Sequence, residues 1–173
     1  RWGNDAVPSD AAFDCLLPGQ HQAQSYRHWT PTGVAATAAL WLAEESPSRP
    51  ILDVGAGAGK FCIVGALTTR ARFVGIEDRP ALVDVARSVA TTLGVQSRVA
   101  FRQGRVTFDG LSRFSKFYLF NPFAEGLHGP AHRIDDTVQR SHRRFCEDVE
   151  LVHEAFWGAA KGTRVVTYHG FGG

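Results

Sequence analysis

Methionine is absent from this chain and cysteine nearly so. Cys15, Cys62 and Cys146 are odd in number, widely spaced and form no Cys-x-x-Cys pair. That pattern argues against a disulfide framework and points to a reducing, cytoplasmic compartment. Without methionine, Arg1 is not a native start, and the chain stops at Gly172-Gly173 directly after a strand-like run; we expect a piece of a longer protein, truncated at the C-terminus. No apolar run approaches the ~20 residues that a membrane-spanning helix needs. A net charge of +2 calls for no polyanionic partner, so nucleic acid is not indicated. The 44% apolar and 21% charged shares are ordinary for one soluble globular domain with a sizeable core.

Glycine, by contrast, is concentrated where it does chemistry. Residues 51 to 61 read Ile-Leu-Asp-Val-Gly-Ala-Gly-Ala-Gly-Lys-Phe, an apolar strand running into a turn with Gly55, Gly57 and Gly59 on alternate positions and Ala56 between the first two. A glycine turn between strand and helix admits positive φ and lets a ligand approach the backbone, and the following helix offers N–H groups at its start. A Walker A loop does not fit: its first glycine would fall on Val54 and its hydroxyl on Phe61. A Gly-x-Gly-x-x-Gly dinucleotide fingerprint puts its third glycine on Lys60, although Glu77 at the end of the next strand suits a ribose-binding acid in either scheme.

The remaining signature, Asp53-x-Gly55-x-Gly57-x-Gly59 followed by Glu77, resembles motif I and the second-strand acid of class I S-adenosylmethionine-dependent methyltransferases. The resemblance implies that the turn meets the methionine part of the cofactor and that Asp53 helps hold its amino group, directly or through water. Glu77 would accept the two ribose hydroxyls, with Asp78 beside it either a contact or the start of the next helix. Gln103-Gly104-Arg105 lies where the family places an acid for the adenine amine, so the arginine is a departure; Gln103 or a backbone carbonyl would take that role. S-adenosylmethionine is the implied cofactor and S-adenosylhomocysteine the implied product.

Asn121-Pro122-Phe123 resembles the [Asn/Asp]-Pro-Pro-[Tyr/Phe] motif of amino-methylating members without its second proline, and Asn121-x-Phe123-Ala124 is similar to the disruptor-of-silencing histone lysine methyltransferases. The resemblance makes Asn121 and Phe123 the catalytic candidates, Asn121 also near the cofactor. The Asn carbonyl can accept from a substrate N–H, and Phe123 can stack on the substrate, sit near the sulfonium or simply pack in the core. Methyl transfer needs no protein nucleophile, and the one candidate base is His169, so a nitrogen acceptor is favoured, a small molecule or a protein amine. A non-catalytic cofactor-binding module and a nicotinamide-dependent reductase are the alternatives.

The periodicity predicts a polar lead-in over residues 1–30 whose Tyr26, His28 and Trp29 close the pocket or pack, then a domain over 31–173. Helices are expected from Thr30-Pro31, from Lys60, from Pro80 to Gly94 and from Asp135-Asp136; strands are expected at 51–54, 72–77, 98–102, 116–120 and 163–168. This alternation predicts a three-layer α/β/α, doubly wound, mostly parallel Rossmann-like sheet. The C-terminal antiparallel hairpin implied by the resemblance is missing from the sequence. The arginines and acids after residue 128 read as a solvated helix face. His128 and His132 have metal-pair spacing, but Gly129-Pro130 breaks the helix between them and no metal site is expected.

Overall fold

A computed structural model of the chain describes residues 7–44, 49–127 and 133–171; His128 and His132 lie outside them. Five parallel strands, β1 (Ile51–Val54), β2 (Phe73–Glu77), β3 (Val99–Gln103), β4 (Lys116–Phe120) and β5 (Arg164–Tyr168), form one sheet in the order β3-β2-β1-β4-β5. The order reverses beside β1, which pairs with both β2 and β4 and thereby creates a crevice at its carboxyl end. The central strands are apolar because helices cover both their faces, so every residue of β1 is buried. The outer strands β3 and β5 alternate in burial instead, as edge strands do.

One layer comprises α3 (Thr32–Ala43), α4 (Lys60–Thr68) and α5 (Pro80–Thr92), packed with Phe73, Phe101 and Tyr118 into the larger core. The other face carries α6 (Phe108–Ser112) and α7 (His142–Trp157), which bury Phe117, Leu119, Phe145 and Val152. Helices α1 (Asp10–Asp14) and α2 (Gly19–His28) precede these layers. Lys60 fastens them to the domain. Its ammonium, 2% exposed, meets Asp10 at 2.6 Å and Asp14 at 3.0 Å and donates to the Ser25 hydroxyl at 3.0 Å.

The boundaries differ from expectation in three places. Thr30 does not cap α3, because its hydroxyl is committed to the buried Tyr118 hydroxyl at 2.9 Å and the helix starts at Thr32. The last long helix begins at His142, capped by Ser141, and not at Asp135. Asp135 closes a turn by accepting from the backbone and hydroxyl of Thr137, and it pairs with Arg79 at 2.9 Å. The short α6, capped by Thr107, was not foreseen from the sequence.

Lys60→Met should release α1 and α2. Removing one partner of a buried charge cluster costs about 3–5 kcal/mol; Asp10 is half-exposed, so roughly half of that is expected here. Limited proteolysis should cut within residues 9–29 faster than in wild type, and the melting temperature should fall.

Candidate functional site

A cavity of about 480 Å³ opens at the carboxyl ends of all five strands. Gly55 and Gly57 contribute from β1, Glu77 and Asp78 from β2, Gly104 and Arg105 from β3, Asn121 to Phe123 from β4, and Tyr168 and His169 from β5. Residues 26–29 at the end of α2, together with Arg140 and Asp148, complete its walls. Of the residues singled out in the sequence, this set contains Gly55, Gly57, Glu77, Asp78, Gly104, Arg105, Asn121 and Phe123. Asp53, Ala56, Gly59 and Gln103 do not line it.

The first two glycines of the turn are required both by positive φ and by close neighbours. Gly55 has φ +76, and a Cβ there would lie 2.6 Å from Pro122 Cβ. Gly57 has φ +53, and a Cβ there would lie 2.2 Å from Trp29 Nε1. Ala56 is buried with its methyl toward Gly75, while Gly59 caps α4 against Phe101 and Ala86. The turn is fixed to β2 by Glu77, whose carboxylate accepts from Gly57 N–H and Arg79 N–H, each at 3.0 Å. A carboxylate has about four lone-pair sites, so Glu77 keeps acceptor capacity for two further donors. Burial raises its pKa, opposed by the Arg79 amide, the Arg79 charge and the Gly57 amide.

Asp53 sits beneath the turn, fully enclosed, with the Cys62 thiol donating to it at 3.5 Å. Burial pushes its pKa up to about 7, the thiol hydrogen bond lowers it and the nearby Glu77 charge raises it. Asp53 thus holds a proton more readily than an ordinary carboxylate and does not line the cavity.

At the far side of the cavity Arg105 replaces the expected acid and turns to α7, with Nε donating to Asp148 at 2.7 Å and Nη2 to Glu147 at 3.1 Å. Asp148, 3% exposed, thus brings a carboxylate to the cavity from another element. Gln103 points outward and donates to the Asp78 carbonyl at 3.3 Å. The arginines after residue 128 do not form a solvated face. Arg140 and Arg144 both pair with Asp78, and Arg79 pairs with Glu125 at 2.5 Å. Arg143 alone of these is highly exposed. A run of mixed charge carries no local sign of such long-range pairing, which is why Asp148, Glu125 and Arg140 were not singled out.

At the β4–β5 end, Asn121 (φ 39) and His169 (φ 62) both hold left-handed backbone, which L side chains rarely adopt. Asn121 N–H donates to the Gly170 carbonyl at 3.0 Å, and its Oδ1 is buried without a partner. Phe123, 8% exposed, packs mainly in the α7 core and shows one edge to the cavity.

A protein-family model described as a methyltransferase domain matches residues 45–113. This stretch runs from the residues before β1 to the end of α6, and it gives the chain a methyltransferase domain with a Rossmann-like fold. The chain is 26% identical over 108 residues to the ribosomal protein L11 methyltransferase of Deinococcus radiodurans, and it spans only 38% of that protein's length. An RNA methyltransferase from Salinibacter ruber, crystallised with S-adenosylhomocysteine, superposes with a TM-score of 0.55 at 29% identity, over 80% of this chain and 75% of that one. An O-methyltransferase from Bacillus cereus, also with S-adenosylhomocysteine, shares the fold at 19% identity and a TM-score of 0.57, over 93% and 67% of the two chains. Both of these structural neighbours hold S-adenosylhomocysteine. The residues present here suit such a nucleoside cofactor: a carboxylate with spare acceptor sites and buried unpaired polar atoms on Asn121 and Trp29, all on residues that line the cavity. Among the described residues no helix is long and apolar enough to cross a membrane.

Asp53 gives a pH signature. Its folded pKa is raised above the unfolded value, so the folded state gains affinity for a proton and loses stability as pH rises from about 4 to about 7. Asp53→Asn should flatten this loss: its melting temperature, compared with wild type, should be relatively higher at pH 8 than at pH 5. An unchanged difference across that range would show that Asp53 is not buried as described.

Proposed function

We propose that the protein transfers a methyl group from S-adenosylmethionine to a nitrogen acceptor, a small molecule or a protein amine. The observation that carries this is Asn121, which lines the cavity at the end of β4 and whose amide oxygen is buried without a partner. A buried acceptor without a donor is costly, and an N–H of the methyl acceptor would satisfy it. The bound sulfonium supplies an electrophilic methyl group with its leaving group already activated. The chain's own task is to orient and to exclude water, and such positioning can be worth ~7–11 kcal/mol of barrier.

Glu77 would hold the ribose hydroxyls, and the Gly55–Gly57 turn would let the cofactor chain pass against backbone. Asp148, set by Arg105, would take the acceptor role toward the adenine amine that Arg105 itself cannot perform. His169, which lines the cavity at the end of β5, would receive the acceptor's proton. The nitrogen preference is supported by the Asn-Pro-Phe sequence and this orphaned oxygen; the relatives act on different acceptors, as their names state. The three free thiols fit a reducing, cytoplasmic setting.

Two variants test the proposal. Asn121→Gly keeps the positive φ and removes the amide; with labelled cofactor and an acceptor found by screening amines, turnover should fall roughly 100-fold while S-adenosylhomocysteine affinity stays within a few fold. Gly57→Val should abolish S-adenosylhomocysteine binding in a calorimetric titration. Full turnover in Asn121→Gly would remove Asn121 from the chemistry. Tight NADH binding by wild type would favour the reductase instead.

A further inference from the structure

Two polar atoms at the glycine turn are buried without a hydrogen-bond partner, Asn121 Oδ1 and Trp29 Nε1. The first suits the methyl acceptor; the second is a donor, and indole can only donate. Trp29 is 4% exposed, lines the cavity and lies directly over Gly57. It is held there from several directions. Its backbone N–H donates to the Ser25 carbonyl at 3.0 Å, its ring meets His21 edge-on at 6.0 Å, and the next residue, Thr30, is tied to Tyr118. A donor fixed this firmly and left unpaired beside a ligand cavity calls for a ligand acceptor.

The charges around the cavity indicate which acceptor. Arg79, Arg105 and Arg140 already face carboxylates, at 2.5 Å to Glu125, 2.7 Å to Asp148 and 3.4 Å to Asp78. Their charge is thereby committed within the protein. An anionic group brought to the glycine turn therefore finds the indole N–H as its unpaired donor. Resting on the methyltransferase reading, we propose that Trp29 donates its indole N–H to the α-carboxylate of the cofactor's amino-acid end. The N-terminal segment then acts as a cofactor-binding element, fastened by Lys60 and Ser25, and not as a passive cover.

The test compares S-adenosylhomocysteine with its decarboxylated analogue, the 3-aminopropyl thioether, by calorimetry on wild type and on Trp29→Phe, which keeps an aromatic ring and removes the donor. A hydrogen bond to a charged acceptor predicts about a tenfold or greater loss of S-adenosylhomocysteine affinity in Trp29→Phe, with the analogue bound within twofold of wild type. Equal losses for both ligands, or none, overturn the proposal. So does the same split produced by Arg27→Ala, which would assign the carboxylate to that exposed guanidinium. Should Trp29→Phe fold poorly, 15N-tryptophan spectra of wild type decide: one indole N–H signal must shift downfield with S-adenosylhomocysteine and not with the analogue. Failure of wild type to bind either compound refutes the methyltransferase reading itself, a result distinct from binding without the split.

Discussion

The Glu77 carboxylate is the pin on which the site turns. It stands at the end of β2 yet accepts the N–H of Gly57 from the neighbouring strand's turn and the N–H of Arg79 from its own. It adds a side-chain anchor at Gly57 to a turn whose three glycines all take positive φ and whose backbone bonds to Ile76 hold only its start. With it, the turn and the start of α5 are tied together at the point where strand order reverses. Its buried charge is balanced by backbone amides and by the Arg79 guanidinium 3.8 Å away. An anion buried this deeply persists only when it is hydrogen-bonded in this way.

Around that pin the structure separates two jobs. The β2–β3 side is an ionic lattice, in which Arg79, Arg105, Arg140 and Arg144 neutralise Asp78, Glu125, Asp135 and Asp148 and draw α7 and the segment before it onto the sheet. The β4–β5 side is aromatic and sparsely charged: Phe120, Tyr168 and His169 lie with ring centroids 4.3–5.7 Å apart beside Asn121. A cofactor is held best where charge and hydrogen bonds are dense. A methyl acceptor is oriented best where few groups compete for it.

The strands and most helices were legible in the sequence because local pattern determines them. The bounds of β1 and β4 agree with expectation, since a strand buried on both faces is mostly apolar, here interrupted only by Asp53 and the leading Lys116. Gly94, with φ 72, ends α5 as its position implied. What could not be read was pairing across the fold. Thr30 and Asp135 have the chemistry of helix starts but spend it on Tyr118 and Arg79, partners far away in sequence. Arg105 looked like the loss of a recognition acid until α7 supplied Asp148 beside it. Asp53 carries the motif, yet Cys62 and the strand's inward face keep it below the cavity.

The central claim is that this cavity holds S-adenosylmethionine across Gly55–Gly57 with its ribose on Glu77. A crystal structure of the protein with S-adenosylhomocysteine tests it most directly. The account predicts both ribose hydroxyls within hydrogen-bond distance of the Glu77 carboxylate and the thioether chain against the glycine turn. Ligand bound elsewhere, or a Glu77 carboxylate contacting only Gly57 and Arg79 while the ligand is present, would contradict it.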